Sequence, residues 1–126
     1  MSVLTVVKSY EDLKVFQRAY EVSLEIHKMS LGFPKNEQYA LASQIRRSSK
    51  SICANVADGF AKQRYSASEY MRYIVIAIGS CDETRVWLKY CGDLNYIPKD
   101  TLERWNSEYQ EIAKMLSGLQ SSWSKK

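Results

Sequence analysis

Residues 66–92 read SASEYMRYIVIAIGSCDETRVWLKYCG. Tyr70, Ile74, Ala77, Cys81, Thr84, Leu88 and Cys91 recur at alternating steps of four and three, the heptad spacing that keeps one stripe of a helix against a partner. Ser66 followed by Glu69 is a capping-box pair, which satisfies free N–H groups at a helix start. Gly92 is expected to be the left-handed C-cap. Inside this helix, Tyr73 to Ile78 are six consecutive apolar residues. Consecutive residues are about 100° apart, so the run covers the whole circumference. Water on one side of it would forgo roughly 1.5–3 kcal/mol per large side chain. Tyr73, Val75 and Ile76 are therefore expected to be covered by another copy, and the small Gly79 and Ser80 would let a helix approach closely.

Working outward, three more segments carry helical periodicity and none alternates in the manner of a strand. The first opens at Ser9 with Asp12 three residues on, carries Leu13, Phe16, Tyr20, Leu24 and His27 as its stripe, and stops at Gly32 and Pro34. The second carries Leu41, Ile45, Ser48, Ile52, Val56 and Phe60. The last starts at Asp100 and Glu103 and carries Leu102, Trp105, Tyr109, Ile112, Leu116, Leu119 and Trp123, with Ser121 to Lys126 expected to fray. Helices are thus predicted over about 10–31, 37–61, 67–91 and 100–121. Short connections force sequential helices to run antiparallel, so the prediction is an all-α, up-down-up-down four-helix bundle forming one domain over residues 1–126.

Composition narrows the function. At 126 residues, 45% hydrophobic and 25% charged, the chain is of ordinary globular make-up. No run approaches the roughly 18–20 apolar residues of a membrane span, and Met1 to Lys8 has no signal-peptide pattern. Cys53, Cys81 and Cys91 fit neither a disulfide framework nor a zinc site, which points to reduced thiols and a cytoplasmic location. The single histidine, His27, lies on an apolar stripe, and no phosphate loop, dinucleotide fingerprint, G-x-S-x-G or Glu-x-x-His pair occurs. No catalytic residues, metal or cofactor are expected.

The charge is unevenly placed. Of 18 basic and 14 acidic residues, six basic and two acidic lie between Arg46 and Arg72, and the remainder is neutral. Arg46, Arg47 and Lys50 project from neighbouring faces of one helix beside Ser48, Ser49 and Ser51, and Lys62 and Arg64 follow beside Tyr65. Arg offers forked donors to phosphate and Lys a point charge, a chemistry that reads a nucleic-acid backbone rather than a base sequence. These five residues are the expected nucleic-acid-binding surface. The plainer alternative is that the arginines pair with carboxylates of a neighbouring helix.

Tyr10-Glu-Asp-Leu-Lys-Val-Phe16, Gln44-Ile-Arg-Arg47, Ser51-Ile52 and Asn55-Val-Ala-Asp-Gly59 resemble the bacterial 23S ribosomal RNA intervening-sequence protein family, also called four-helix bundle proteins. Glu69-Tyr-Met-Arg72, Ile76-Ala-Ile-Gly-Ser80 and Leu94-Asn-Tyr-Ile97 match its later blocks in order, so the resemblance spans about Tyr10 to Leu119. Members often carry proline where this chain has Cys53. The resemblance implies a four-helix bundle, a homo-oligomer with a ring of five as the model, and RNA or DNA as a partner. Related accessory proteins of diversity-generating retroelements add a reverse transcriptase as a second kind of partner. Two functions follow: a non-catalytic homo-oligomer that binds RNA or other nucleic acid through its second helix, or a structural module that docks a partner protein without nucleic acid.

Overall fold

The computed structural model describes residues 7–124, with side chains through Ser122. Helix α1 spans Lys14–Ser30, α2 Leu41–Lys62, α3 Ala67–Asp93 and α4 Lys99–Ser124, and no strand occurs among the described residues. Residues 1–6, where the signal-peptide reading falls, and Trp123's side chain lie outside this description.

Paired side chains establish the helix directions. Between α1 and α2, Ser30 meets Arg46 and His27 meets Lys50. Between α2 and α3, Ser48 meets Thr84, Ser51 meets Ser80, and Gly59 meets Tyr73. Arg85 reaches Asn106 while Gly92 abuts Leu102, and Arg18 and Glu25 of α1 reach Glu108 and Arg104 of α4. In every case one number rises as the other falls. The four helices form an antiparallel up-down-up-down bundle in which α1 and α3 each neighbour α2 and α4 and sit on a diagonal across the core.

Every residue of the α3 heptad from Tyr70 to Cys91 is buried, as are Leu41, Ile45, Ser48, Ile52 and Val56 of α2 and Trp105, Tyr109, Ile112 and Leu116 of α4. Small side chains line the α2–α3 seam. A Cβ on Gly59 would stand 3.2 Å from Tyr73 Cβ, so the two backbones approach closely there.

Three expectations are corrected. The Ser9–Asp12 capping box exists, but it closes a 3-10 turn at Tyr10–Asp12, and α1 begins only after an extended Leu13. The buried stripe of α1 is Val15, Ala19, Val22 and Ile26, whereas Tyr20 and Leu24 face solvent. The left-handed residue after α3 is Asn95 (φ 62°), not Gly92. Tyr96 N–H donates to Cys91 O and Asn95 N–H to Gly92 O, a Schellman arrangement, while Gly92 stays helical and packs where a Cβ would meet Leu102 at 2.5 Å. Helix ends also move: a 3-10 turn at Lys35–Glu37 precedes α2, and α4 continues through Ser124 instead of fraying from Ser121.

Candidate nucleic-acid interface

The five expected cations are carried by α2 and the turn after it, yet they do not form one face. Adjacent helical residues point about 100° apart, and Arg46 and Arg47 diverge accordingly. Arg46 turns toward α1. Its Nη1 donates to Ser30 Oγ at 2.6 Å and its Nη2 to Gln38 O at 3.1 Å. Gln38 Nε2 in turn donates to Ser30 O at 2.9 Å and Phe33 O at 3.0 Å. Arg46 thus stabilises the last turn of α1, where carbonyls lack helical partners.

Arg47 turns toward α3, where it pairs with Glu83, and its Nη2 also donates to Gln44 Oε1 of its own helix at 3.0 Å. Glu83 also accepts from Trp87 Nε1 at 3.0 Å. This is the neighbour-carboxylate alternative, realised for one of the two arginines. Lys50 lies on the α1 side and donates to His27 Nδ1 at 2.8 Å. Partial burial, then the charges of Lys50 and Arg46, hold the His27 imidazole below its ordinary range, so it is the neutral acceptor in this pair.

Lys62 and Arg64 stand apart from these three, at the α2–α3 turn. Lys62 Nζ lies 5.7 Å from the centre of the Tyr73 ring, and Arg72 Cζ approaches the same ring at 5.1 Å. Arg64 and Tyr65 are exposed beside them. Arg72 thus joins Lys62 here, and Tyr65 lies in the same turn. The antiparallel α2–α3 packing, close where Gly59 meets Tyr73, brings Arg72 back beside Lys62.

Of the residues expected at a subunit interface, Val75 and Ile76 are 49% and 40% exposed, and Val86 and Tyr90 extend the same outer face of α3. Tyr73 is half-buried beneath the two cations. Nothing within 4 Å would meet a Cβ on Gly79. A second apolar surface follows from the displaced stripe of α1. Phe16, Tyr20 and Leu24 line a groove of about 430 Å³ with Ala54 and Ala57 of α2.

Burial pushes the Cys53 thiol up to about 11 and Cys81 and Cys91 to about 12, so none is a ready nucleophile at neutral pH. Asn55 Nδ2 donates to Ser51 O at 2.8 Å within its own helix, and Asp58 is exposed. No group of three or more His, Cys, Asp or Glu side chains is placed to hold a metal among the described residues. None of the described helices is long and apolar enough to cross a membrane.

An antiparallel four-helix bundle with small residues between α2 and α3 and surface cations on α2 defines the class. The family model of the 23S rRNA-intervening sequence proteins matches residues 11–118, and the chain belongs to that family. Among solved structures it is similar to a protein of unknown function from the S23 ribosomal protein family of Bacteroides thetaiotaomicron. That likeness has 25% identity and a TM-score of 0.76, covering 85% of this chain and 95% of the other. No curated protein matches the chain.

Proposed function

We propose that this chain is a non-catalytic, self-associating bundle protein of the cytoplasm that binds RNA or another nucleic acid through cations of α2 and the following turn. One observation carries the reading. The positive excess of the sequence lies between Arg46 and Arg72, and there Lys50, Lys62 and Arg64 are at the surface with no carboxylate partner among the described residues. Unpaired surface cations are what a phosphate backbone recruits, because each contact releases condensed counterions. The family's name, which refers to sequences inserted in ribosomal RNA, agrees with an RNA partner.

Self-association is supported by the exposed apolar face of α3, with a ring of five as the assembly the resemblance implies. Repetition of a weak basic patch around such a ring would raise affinity through multivalency. A reverse transcriptase is the protein partner that the same resemblance implies. The test is RNA binding by wild type and by Lys50→Glu/Lys62→Glu/Arg64→Glu, which spares Arg46 and the Arg47–Glu83 pair. Loss of binding with unchanged helicity and mass is expected. Equal binding by the variant, or none by wild type at low salt, would remove the reading.

A second reading, a module that docks a protein without nucleic acid, is favoured by the groove beside Phe16, Tyr20 and Leu24. Such docking would be nearly insensitive to salt.

A further inference from the structure

We infer that the α2–α3 turn is a docking point for an unpaired nucleotide, with the Tyr65 ring as the platform for its base and Lys62, Arg64 and Arg72 holding the flanking phosphates. The inference rests on the nucleic-acid reading above and adds the kind of strand that is bound and the residue that distinguishes it.

Tyr65 is 78% exposed and stacks on no other ring among the described residues. An aromatic ring held in water by a tight turn forgoes its hydrophobic gain unless something covers it. The turn is fixed: Tyr65 N–H donates to Lys62 O at 2.9 Å and Ser66 N–H to the same carbonyl at 3.0 Å. The backbone that carries the ring is therefore set before any ligand arrives.

The cations are also gathered. Lys62 and Arg72 both approach the Tyr73 ring within 6 Å, one from the end of α2 and the other from the first turns of α3. They can be no more than about 11 Å apart, close enough to serve neighbouring phosphates of one strand. Arg64 lies one residue from Tyr65 and makes no ion pair among the described residues. Among the described residues Glu69 is the one carboxylate paired with the group, 3.4 Å from Arg72 Nε, in an exposed pair of the sort that is easily exchanged.

Base stacking on an aromatic ring is sequence-tolerant and needs a base whose face is free. A duplex offers that only at its ends, so a loop, bulge or single strand is the ligand that satisfies both the ring and the cations.

The experiment uses the full chain and a labelled oligonucleotide supplied as single-stranded RNA, single-stranded DNA and the matching duplex. Wild type, Tyr65→Ala, Tyr65→Phe and Arg72→Gln are compared. Both single strands are expected to bind more tightly than the duplex. Tyr65→Ala should weaken single-strand binding by about tenfold and leave the duplex unchanged, while Tyr65→Phe should keep the wild-type preference. Arg72→Gln should weaken all three ligands. Equal wild-type affinity for strand and duplex would overturn the inference, as would a Tyr65→Ala variant that keeps its preference, and both leave the nucleic-acid reading standing. Absence of any binding at low salt would overturn that reading and this inference together.

Discussion

Thr84 Oγ1 donates toward Ser48 Oγ across 2.9 Å of fully buried space between α3 and α2. Ser51 Oγ and Ser80 Oγ repeat the contact one turn away at 3.0 Å. Two hydroxyl pairs on small side chains fix the register of these helices, and that register sets Arg47 against Glu83 and Lys62 beside Arg72. Thr84→Val should cost about 1–2 kcal/mol, because Ser48 loses a buried partner. Ser48→Ala/Thr84→Val removes both groups and should cost less than the sum of the single changes. Denaturant midpoints of the four proteins in this cycle supply the check.

Gly79 separates the stability of one chain from that of an assembly. Its Cβ position is open within the chain, so Gly79→Ala should stabilise α3 by about 1 kcal/mol. If a second copy packs against this face, the added methyl should also weaken self-association. Thermal melts and light scattering on the same variant measure the two effects. A stabilised variant whose mass is unchanged would place the subunit contact elsewhere.

Tyr109 is fully buried, and its hydroxyl has no hydrogen-bond partner among the described residues. Burial drives its ionisation well above the ordinary tyrosine range. Tyr109→Phe keeps the ring and removes the unsatisfied group, so it should be neutral or stabilising by up to about 1–3 kcal/mol. A marked loss of stability in urea would reveal a partner for the hydroxyl.

Much of this was legible in the sequence, and the failures have physical causes. The α3 stripe was legible because its heptad spacing runs unbroken from Tyr70 to Cys91, beyond the stretch at Tyr73 to Ile78 that is apolar all round. On α1 a rival stripe exists: Leu13, Phe16, Tyr20 and Leu24 are larger than Val15, Ala19, Val22 and Ile26 and repeat at the same spacing. Bulk suggested the core, yet Ala19 and Ser23 are the residues small enough to be buried there. Gly92 looked like a C-cap because glycine tolerates positive φ. Its actual constraint is the Leu102 side chain 2.5 Å from where a Cβ would stand, and Asn95 takes the left-handed position. The basic cluster was legible as charge but not as a surface, since its grouping depends on which helix each cation faces.

Acid should loosen the α1–α4 contact. Glu25 accepts from Trp105 Nε1 and Arg104 Nη1, each at 2.9 Å. The Trp105 hydrogen bond, opposed by burial and aided by the hydrogen bond and charge of Arg104, holds the carboxyl below its ordinary value of 4.5. A carboxyl whose folded pKa is depressed contributes stability above its unfolded pKa and loses it as pH falls through the folded value. Stability should therefore decline below about pH 4.5 in wild type, and Glu25→Gln should flatten part of that decline. Denaturant midpoints at a series of pH values measure it.

The central claim is that phosphate contacts from α2 and its turn hold a nucleic acid, and the salt dependence of RNA affinity measures this most directly. For wild type, the logarithm of the association constant should fall linearly with the logarithm of salt concentration, by about 0.7 for each single-strand phosphate neutralised. Neutral substitution of Lys62, Arg64 and Arg72 together should lower that slope by about two. An affinity independent of salt, or a slope the triple variant leaves unchanged, would contradict the account.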